Sequence, residues 1–330
     1  MELPPLLGRA VDKALNGTAL SDLAATAAAL SDRYREERHD IKPRVISDRE
    51  ALAYLAVRLP ATYAAIRTSF NAVAEARPDF MPGNALDVGA GPGTALWAAA
   101  ECWPAVSEAL LVEASPIFRT YAERLAAEAE LPHVTWRVAD IAVDAIDSKP
   151  RDLVTMAYVL NELAPKARHS ILQQLWQLTA DTLVIVEPGT PAGWQRIIAA
   201  RNQLIEAGAH VIAPCPHARA CPLQPPDWCH LAQRIARSRV HRQTKRADVP
   251  WEDEKFSHVA VSRKPAARVR ARVIARPRKA DGHITLKLCR PDGLMDNQSF
   301  SRREARSSSV PGAPTGARRY ECSLAVEPPL

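Results

Sequence analysis

The nine residues LDVGAGPGT, at 86–94, constrain this chain more than any others. They put Asp87 at the end of a short apolar run, NALDV, then Gly89, Gly91 and Gly93 at alternate positions, then the helical stretch ALWAAAECW. Glycine reaches backbone conformations closed to other residues and leaves room for a ligand against the main chain. Between a strand and a helix, such a turn aims the helix's unpaired N–H groups into that room. Further on, ALLVE, VTWRV, DLVTMAY and TLVIVE alternate with helical stretches such as AERLAAEAE. This alternation predicts an α/β fold, a doubly wound parallel sheet.

The rest of the chain is organised around that sheet. Residues 1–80 carry Ala- and Leu-rich helical spacing, with Ser21 as a cap, and form a helical N-terminal region. The sheet domain runs over 81–264, with AHVIA near 209 and FSHVAVSR near 256 as further strands. A cysteine- and arginine-rich insertion at 213–255 is expected to leave the sheet edge. ARVIARP and HITLKLCR, joined by the turn-like RKADG, predict a small β element over 265–298. Residues 299–330 lack periodicity and are expected to be a disordered tail. With 330 residues and 47% apolar composition, one main domain with appendages is expected. Arg9, Asp12 and Lys13 break the N-terminal apolar run, and no stretch of 18 apolar residues occurs. The expectation is a cytoplasmic protein of bacterial type, without a membrane partner.

Glu113 ends the ALLVE run, where an acidic group suits a ribose diol. A dinucleotide fingerprint would place a glycine at 94, which is Thr94 here. Asp followed by three alternating glycines instead resembles the class I S-adenosyl-L-methionine-dependent methyltransferases, with their Rossmann-like sheet. That resemblance implies that Gly89, Gly91 and Gly93 line the methionine part of the donor, Glu113 holds the ribose, Asp140 of WRVADI reaches the adenine amino group, and Asp87 shapes the loop. Tyr158, Asn161 and Glu162 follow DLVTMAY at the expected reactive cleft, Asn161 being counted with the cofactor-binding set. Methyl transfer to a nucleophilic acceptor needs alignment rather than a special acid. No catalytic residue is assigned. There is no Asn-Pro-Pro-aromatic motif, and Pro214-Cys215 only partly resembles a cytosine-C5 element.

Cys215, Cys221 and Cys229 lie within CPHARACPLQPPDWC, and Cys289 follows in KLCRPDG. In a reducing compartment such a set suggests a metal rather than disulfides. No Cys-x-x-Cys pair is present, so the spacing leaves open zinc, with His217 or His230, or a cubane iron-sulfur cluster. Cys102 and Cys322 lie outside the set.

Charge is uneven along the chain. Residues 201–330 hold 24 Lys and Arg against 12 Asp and Glu, whereas residues 1–200 hold 19 against 25. A basic half favours a polyanionic partner, because neutralising phosphates releases condensed counterions. Arg234, Arg237, Arg239, Arg242, Lys245 and Arg246 are dense enough to follow an RNA backbone. Trp228 and Trp251 flank them, as base-stacking platforms or as packing.

Together, LDVGAGPGT, VEASP, VLNEL, VEPGTPAGW, the APCPH, CPL and DWCH segments and ARPRKADGHITLKLCRPDG resemble the mitochondrial ribosomal small-subunit assembly methyltransferase-like family and its bacterial relatives, over residues 1–298. The resemblance implies association with the small ribosomal subunit and its rRNA, and a [4Fe-4S] cluster on Cys215, Cys221, Cys229 and Cys289. It leaves open whether the chain methylates rRNA, serves as a non-catalytic assembly factor with a vestigial donor site, or methylates a small molecule.

Overall fold

A computed structural model of the chain describes residues 1–35, 45, 47–127, 129, 131–266, 271–280 and 282–301. Its centre is a mixed sheet of β1 (Asn84–Val88), β2 (Glu108–Glu113), β3 (His133–Val138), β4 (Arg151–Ala157), β5 (Thr179–Pro188), β6 (His210–Ala213), β7 (Leu231–Ala236) and β8 (Trp251–Ser262). The order is β3-β2-β1-β4-β5-β8-β6, with β7 also pairing β8. The first five strands are mutually parallel, and β8 runs antiparallel to β5 and β6. The doubly wound sheet is therefore present, with a reversed strand at one side. Order turns back between β1 and β4, so the carboxyl ends of these strands open the crevice where such sheets bind ligands.

Both faces are covered, and the strand sequences show why. Along β5, Leu183 and Ile185 join one core cluster while Val184 and Val186 join the other. Successive side chains of a strand point to opposite faces, so a continuous apolar run suits a sheet buried on both. One face carries α7 (Pro165–Gln177) and α8 (Pro191–Glu206), through Leu175, Trp176, Ile197 and Leu204. The other carries α5 (Thr94–Cys102), α6 (Pro116–Ala126) and the N-terminal helices α1 (Pro5–Leu15), α2 (Leu20–Arg35), α3 (Asp48–Val57) and α4 (Leu59–Ala76). Leu7, Leu23, Leu55, Leu59, Tyr63 and Phe70 are fully buried there. Each such side chain contributes roughly 1.5–3 kcal/mol, so the N-terminal helices belong to the main core.

Several local expectations change. Ser21 does not precede α2 but lies inside its first turn, because the helix begins at Leu20. The insertion does not simply leave the sheet: β7 pairs with the first half of β8 from Leu231↔Phe256 to Ala236↔Trp251. Between them α9 (Arg239–Thr244) is capped by Ser238, which accepts from the His241 N–H. In the small second sheet, β10 (Arg278–Ala280) takes up the RKA expected in the turn and pairs with β11 (His283–Cys289). That sheet also contains β9 (Arg272–Val273) and β12 (Met295–Ser301), around Ala271, Val273, Leu286 and Leu288. β12 carries order through Ser301, past the expected start of the tail; the rest of the tail lies outside the described residues. Among the described residues no helix is long and apolar enough to cross a membrane.

Candidate functional site

The glycine turn is built as its spacing demands. Gly89, Gly91 and Gly93 have φ of 73°, 53° and 79°, a left-handed region that side chains oppose. The Gly89 and Ala90 N–H groups both donate to the Val112 carbonyl, which ties the turn to the end of β2. A Cβ at Gly89 would sit 2.3 Å from Val159 Cγ2, so the segment after β4 presses directly on the turn. Gly93 precedes α5 without a side-chain cap, and the buried Thr94 Oγ1 has no hydrogen-bond partner among the described residues.

Two carboxylates stand behind this turn. Glu113 accepts from the Gly91 N–H through Oε2 and from the Ser115 N–H through Oε1, both at 2.8 Å. Burial pushes its carboxyl pKa up, against these backbone hydrogen bonds. Asp87 is buried and accepts from Thr155 Oγ1 at 2.5 Å. Burial raises it to about 7, with the Glu113 charge adding to the rise and the Thr155 hydrogen bond opposing it. Asp140 lies two residues beyond Val138, the register partner of Glu113, and its Oδ1 accepts from the Ala142 N–H. The structure thus gathers Asp87, Gly89, Gly91, Gly93 and Glu113 at one turn and brings Asp140 to its flank.

Asn161 lies one strand over. It is 1% exposed, and its Oδ1 has no partner among the described residues. The Leu160 and Asn161 N–H groups approach Glu187, a buried carboxylate that also accepts from Arg196 Nε at 2.7 Å. Burial pushes Glu187 to about 7 although Arg196 pulls it down. Glu187 lies in VEPGTPAGW, but nothing in that run announces a buried ion pair across nine residues. Tyr158 adopts a φ of 61°, and its hydroxyl donates to Glu254 Oε1 at 2.9 Å. Its ring lies under the Arg58 guanidinium, 5.7 Å from the centroid. Arg58 and Glu254 were invisible as site residues, being about a hundred residues from Tyr158 on either side.

Cys215, Cys221, Cys229 and Cys289 line a single cavity of about 30 Å3, and none of them is in a disulfide. β11 brings Cys289 in from the second sheet. Arg201 Nη2 donates to the His217 and Arg219 carbonyls and fixes the loop between the first two cysteines. Burial raises the Cys221 and Cys229 thiols, and burial together with the other three sulfurs pushes Cys289 to about 12. The Cys289 Sγ lies 3.3 Å from His217 Nε2. His230 instead stacks on Trp228, whose indole N–H donates to the Gly189 carbonyl. Among the described residues no three His, Cys, Asp or Glu side chains close around one ion position. As thiolates the four would fit a cationic centre, because only positive charge among them would offset their burial and mutual repulsion. Cys102 is remote, on α5, and Cys322 lies outside the described residues.

The basic strip divides in two. Arg234 forms a double hydrogen bond with Asp253, and Arg237 and Lys245 share Glu252. Burial tends to raise Glu252, but hydrogen bonds from His241, Lys245 and Arg237 hold it well below the usual carboxylate range. Arg239, Arg242 and Arg246 are exposed and make no ion pair with a described residue. Trp251 is 43% exposed, with the Arg234 guanidinium over its ring. Trp228 is packed beside the cysteine loop rather than presented outward.

Five parallel strands in this order, a reversed strand beside β5 and a glycine turn after β1 define a class I methyltransferase fold. A family model described as mitochondrial small ribosomal subunit Rsm22 matches residues 48–321. The chain belongs to that family. It is 30% identical over 279 residues to the human mitochondrial ribosome assembly protein METTL17, covering 77% of this chain and 58% of that one. It is 22% identical to the mitochondrial Rsm22-cox11 tandem protein 2 of Schizosaccharomyces pombe, covering 78% and 41%. The chain therefore spans about half the length of these relatives. Among solved structures it is similar to magnesium protoporphyrin IX methyltransferase of Synechocystis with bound SAM, at 14% identity and a TM-score of 0.40, covering 76% of this chain and 100% of that one. A TehB-like SAM-dependent methyltransferase of Corynebacterium glutamicum is similar at 18% identity and a TM-score of 0.40, covering 73% and 98%. The family model and the curated relatives carry mitochondrial descriptions, which overturns the expectation of a bacterial-type cytoplasmic protein.

Proposed function

We propose that the chain acts on the small ribosomal subunit during assembly, as a methyltransferase-like protein that binds S-adenosyl-L-methionine and holds a [4Fe-4S] cluster on Cys215, Cys221, Cys229 and Cys289. One observation carries this reading: a single family match, over 48–321, spans both the glycine turn and all four cysteines. The family's ribosomal description and the human relative's name supply the partner. For the donor, support comes from the three left-handed glycines, the Glu113 carboxylate against the turn and the unpartnered Thr94 Oγ1. Asp140 and Asn161 complete that set in this reading. When bound, the donor supplies an electrophilic methyl group and the cluster supplies a cationic cross-link among four thiolates.

The chain's own residues then have defined work. Glu113 orients the ribose, the glycine turn admits the donor's bulk, and the cysteine loop is braced against β11 so that the neighbouring strip keeps its shape. Arg239, Arg242 and Arg246 meet rRNA phosphates directly, Arg237 and Lys245 join them through the donors that their shared carboxylate, Glu252, leaves over, and Arg234 stays paired with Asp253. A non-catalytic assembly role is favoured by one feature: the Tyr158 hydroxyl, at the reactive cleft, is already held by Glu254.

The test is to mix the full chain, purified without oxygen, with small-subunit precursors and methyl-labelled donor, then sediment the particles. Co-sedimentation with precursors, with label entering their rRNA, is expected of an rRNA methyltransferase. Co-sedimentation without label selects the assembly role, and failure to sediment with precursors contradicts the proposal.

A further inference from the structure

A cleft of about 880 Å3 opens beside the glycine turn, at the carboxyl ends of β4 and β5. Tyr158 and Pro188 lie at its strand end. One wall is the face of α2 that carries Ala24, Ala25 and Ala28, and the rim carries Arg237, Lys245 and Arg246, on either side of α9, which packs against α2. Its volume falls in the range of sites for small organic ligands, roughly 300–1,000 Å3.

Charge selects the kind of ligand. The lining holds four cations, with Arg58 as the fourth, against one carboxylate, Glu254. Glu254 is already engaged by the Tyr158 hydroxyl and lies 3.9 Å from Arg58. Arg237 and Lys245 lean on Glu252 below the rim, while Arg246 makes no ion pair with a described residue. The surplus is positive and gathered on one side, as a phosphate requires. Shape selects further. Ala25 and Ala28 are exposed methyl groups on a helix face, an apolar wall of the same cleft that the planar Arg58 guanidinium lines where it covers the Tyr158 ring. A planar base fits such a slot, and bases bind sequence-tolerantly against aromatic and apolar surfaces. Position adds a third reason. Tyr158 lines the cleft, and the next residue, Val159, is the one that a Cβ at Gly89 would meet, so cleft and glycine turn lie on either side of one short segment.

We propose that this cleft receives one unstacked nucleotide of an RNA strand, with the base between the α2 alanines and the Arg58 guanidinium that covers Tyr158, and its phosphate at Arg237, Lys245 and Arg246. The inference rests on the reading that the partner is RNA. A base inside a duplex cannot enter, because it would first have to leave the stack.

Ala25→Trp fills the cleft from an exposed position, and Ala28→Trp does so from the same helix face as an independent check on folding. Arg242→Glu alters the strip outside the cleft. Affinity is measured by anisotropy for a single-stranded ten-nucleotide RNA carrying 4-thiouridine and for an RNA duplex, and photocrosslinks are mapped by mass spectrometry. Either tryptophan variant, folded by circular dichroism, is expected to bind the single strand about ten-fold more weakly and the duplex within two-fold of wild type. Crosslinks to α2 or Arg58 should be lost with it. Arg242→Glu should weaken both RNAs. Unchanged single-strand affinity in both folded tryptophan variants overturns the cleft while leaving RNA binding intact. Loss of the crosslink to polyglutamate as readily as to unlabelled RNA overturns it too, since the cleft would then accept any acidic chain. A wild-type protein that binds neither RNA removes the RNA reading itself.

Discussion

At Gly89 both the backbone and its surroundings refuse a side chain. Its φ is 73°, and a Cβ would stand 2.3 Å from a methyl of Val159. Gly89→Ala is therefore expected to destabilise the protein by roughly 1–3 kcal/mol in urea unfolding and to weaken donor binding. Gly8→Ala is the control: it lies within α1, an added Cβ there meets nothing within 4 Å, and a gain of about 0.5–1 kcal/mol is expected. Equal effects of the two would contradict the close approach. Asp87 makes a second prediction. Its folded-state pKa, about 7, lies above the unfolded value near 3.9, so between these the native state holds a proton that the unfolded chain has lost. Its contribution therefore declines as pH rises from about 4 to 7 and levels off above. Asp87→Asn should remove this decline, on the order of 1 kcal/mol per pH unit inside the window. Unfolding curves for both proteins at pH 5 and pH 7 measure the difference, and parallel pH dependence would refute the assignment.

Elements show where reading the sequence succeeds. The helices at 1–80 and the strands from NALDV to TLVIVE are legible because period 3.6 and continuous apolar runs persist over whole elements. β7, α9 and the first half of β8 are not, because their outward residues are charged and pair across strands: Arg234 with Asp253, Arg237 with Glu252. Reading the strip by density alone therefore overcounts its free cations. Salt titration of RNA binding distinguishes them. Replacing Arg242, which makes no ion pair with a described residue, by Ala should lower the slope of log affinity against log salt by about one. Replacing Arg234 should lower it by less, because Asp253 already compensates that charge. Equal losses would mean that the ion pairs do not persist when RNA binds. β12 is hard to read for a related reason: in MDNQSFS only Met295 and Phe300 are apolar, and its pairing with β11 comes from the hairpin at Gly293.

At the scale of the molecule, two sites far apart in sequence depend on one sheet. β1 and β2 place the glycine turn, while β7 and β8 of that sheet, with β9 and β11 of the second, border the cysteines. The order of the four cysteines was readable, as was the glycine turn. Arg201 holding the cysteine loop and Glu254 holding Tyr158 were not, because both act through folded contacts that no local pattern encodes. Among the described residues the second sheet has a core of four buried apolar residues, and it is joined to the cysteine cavity through Cys289. Metal removal is thus expected to loosen β9 to β12 first, seen as faster proteolysis within 271–301. The most direct measurement is the iron and acid-labile sulfide content of the anaerobically purified chain, wild type beside Cys221→Ser. The account predicts about four irons and four sulfides per chain in the wild type, lost in the variant. Zinc alone, or the same iron content in both proteins, would contradict it.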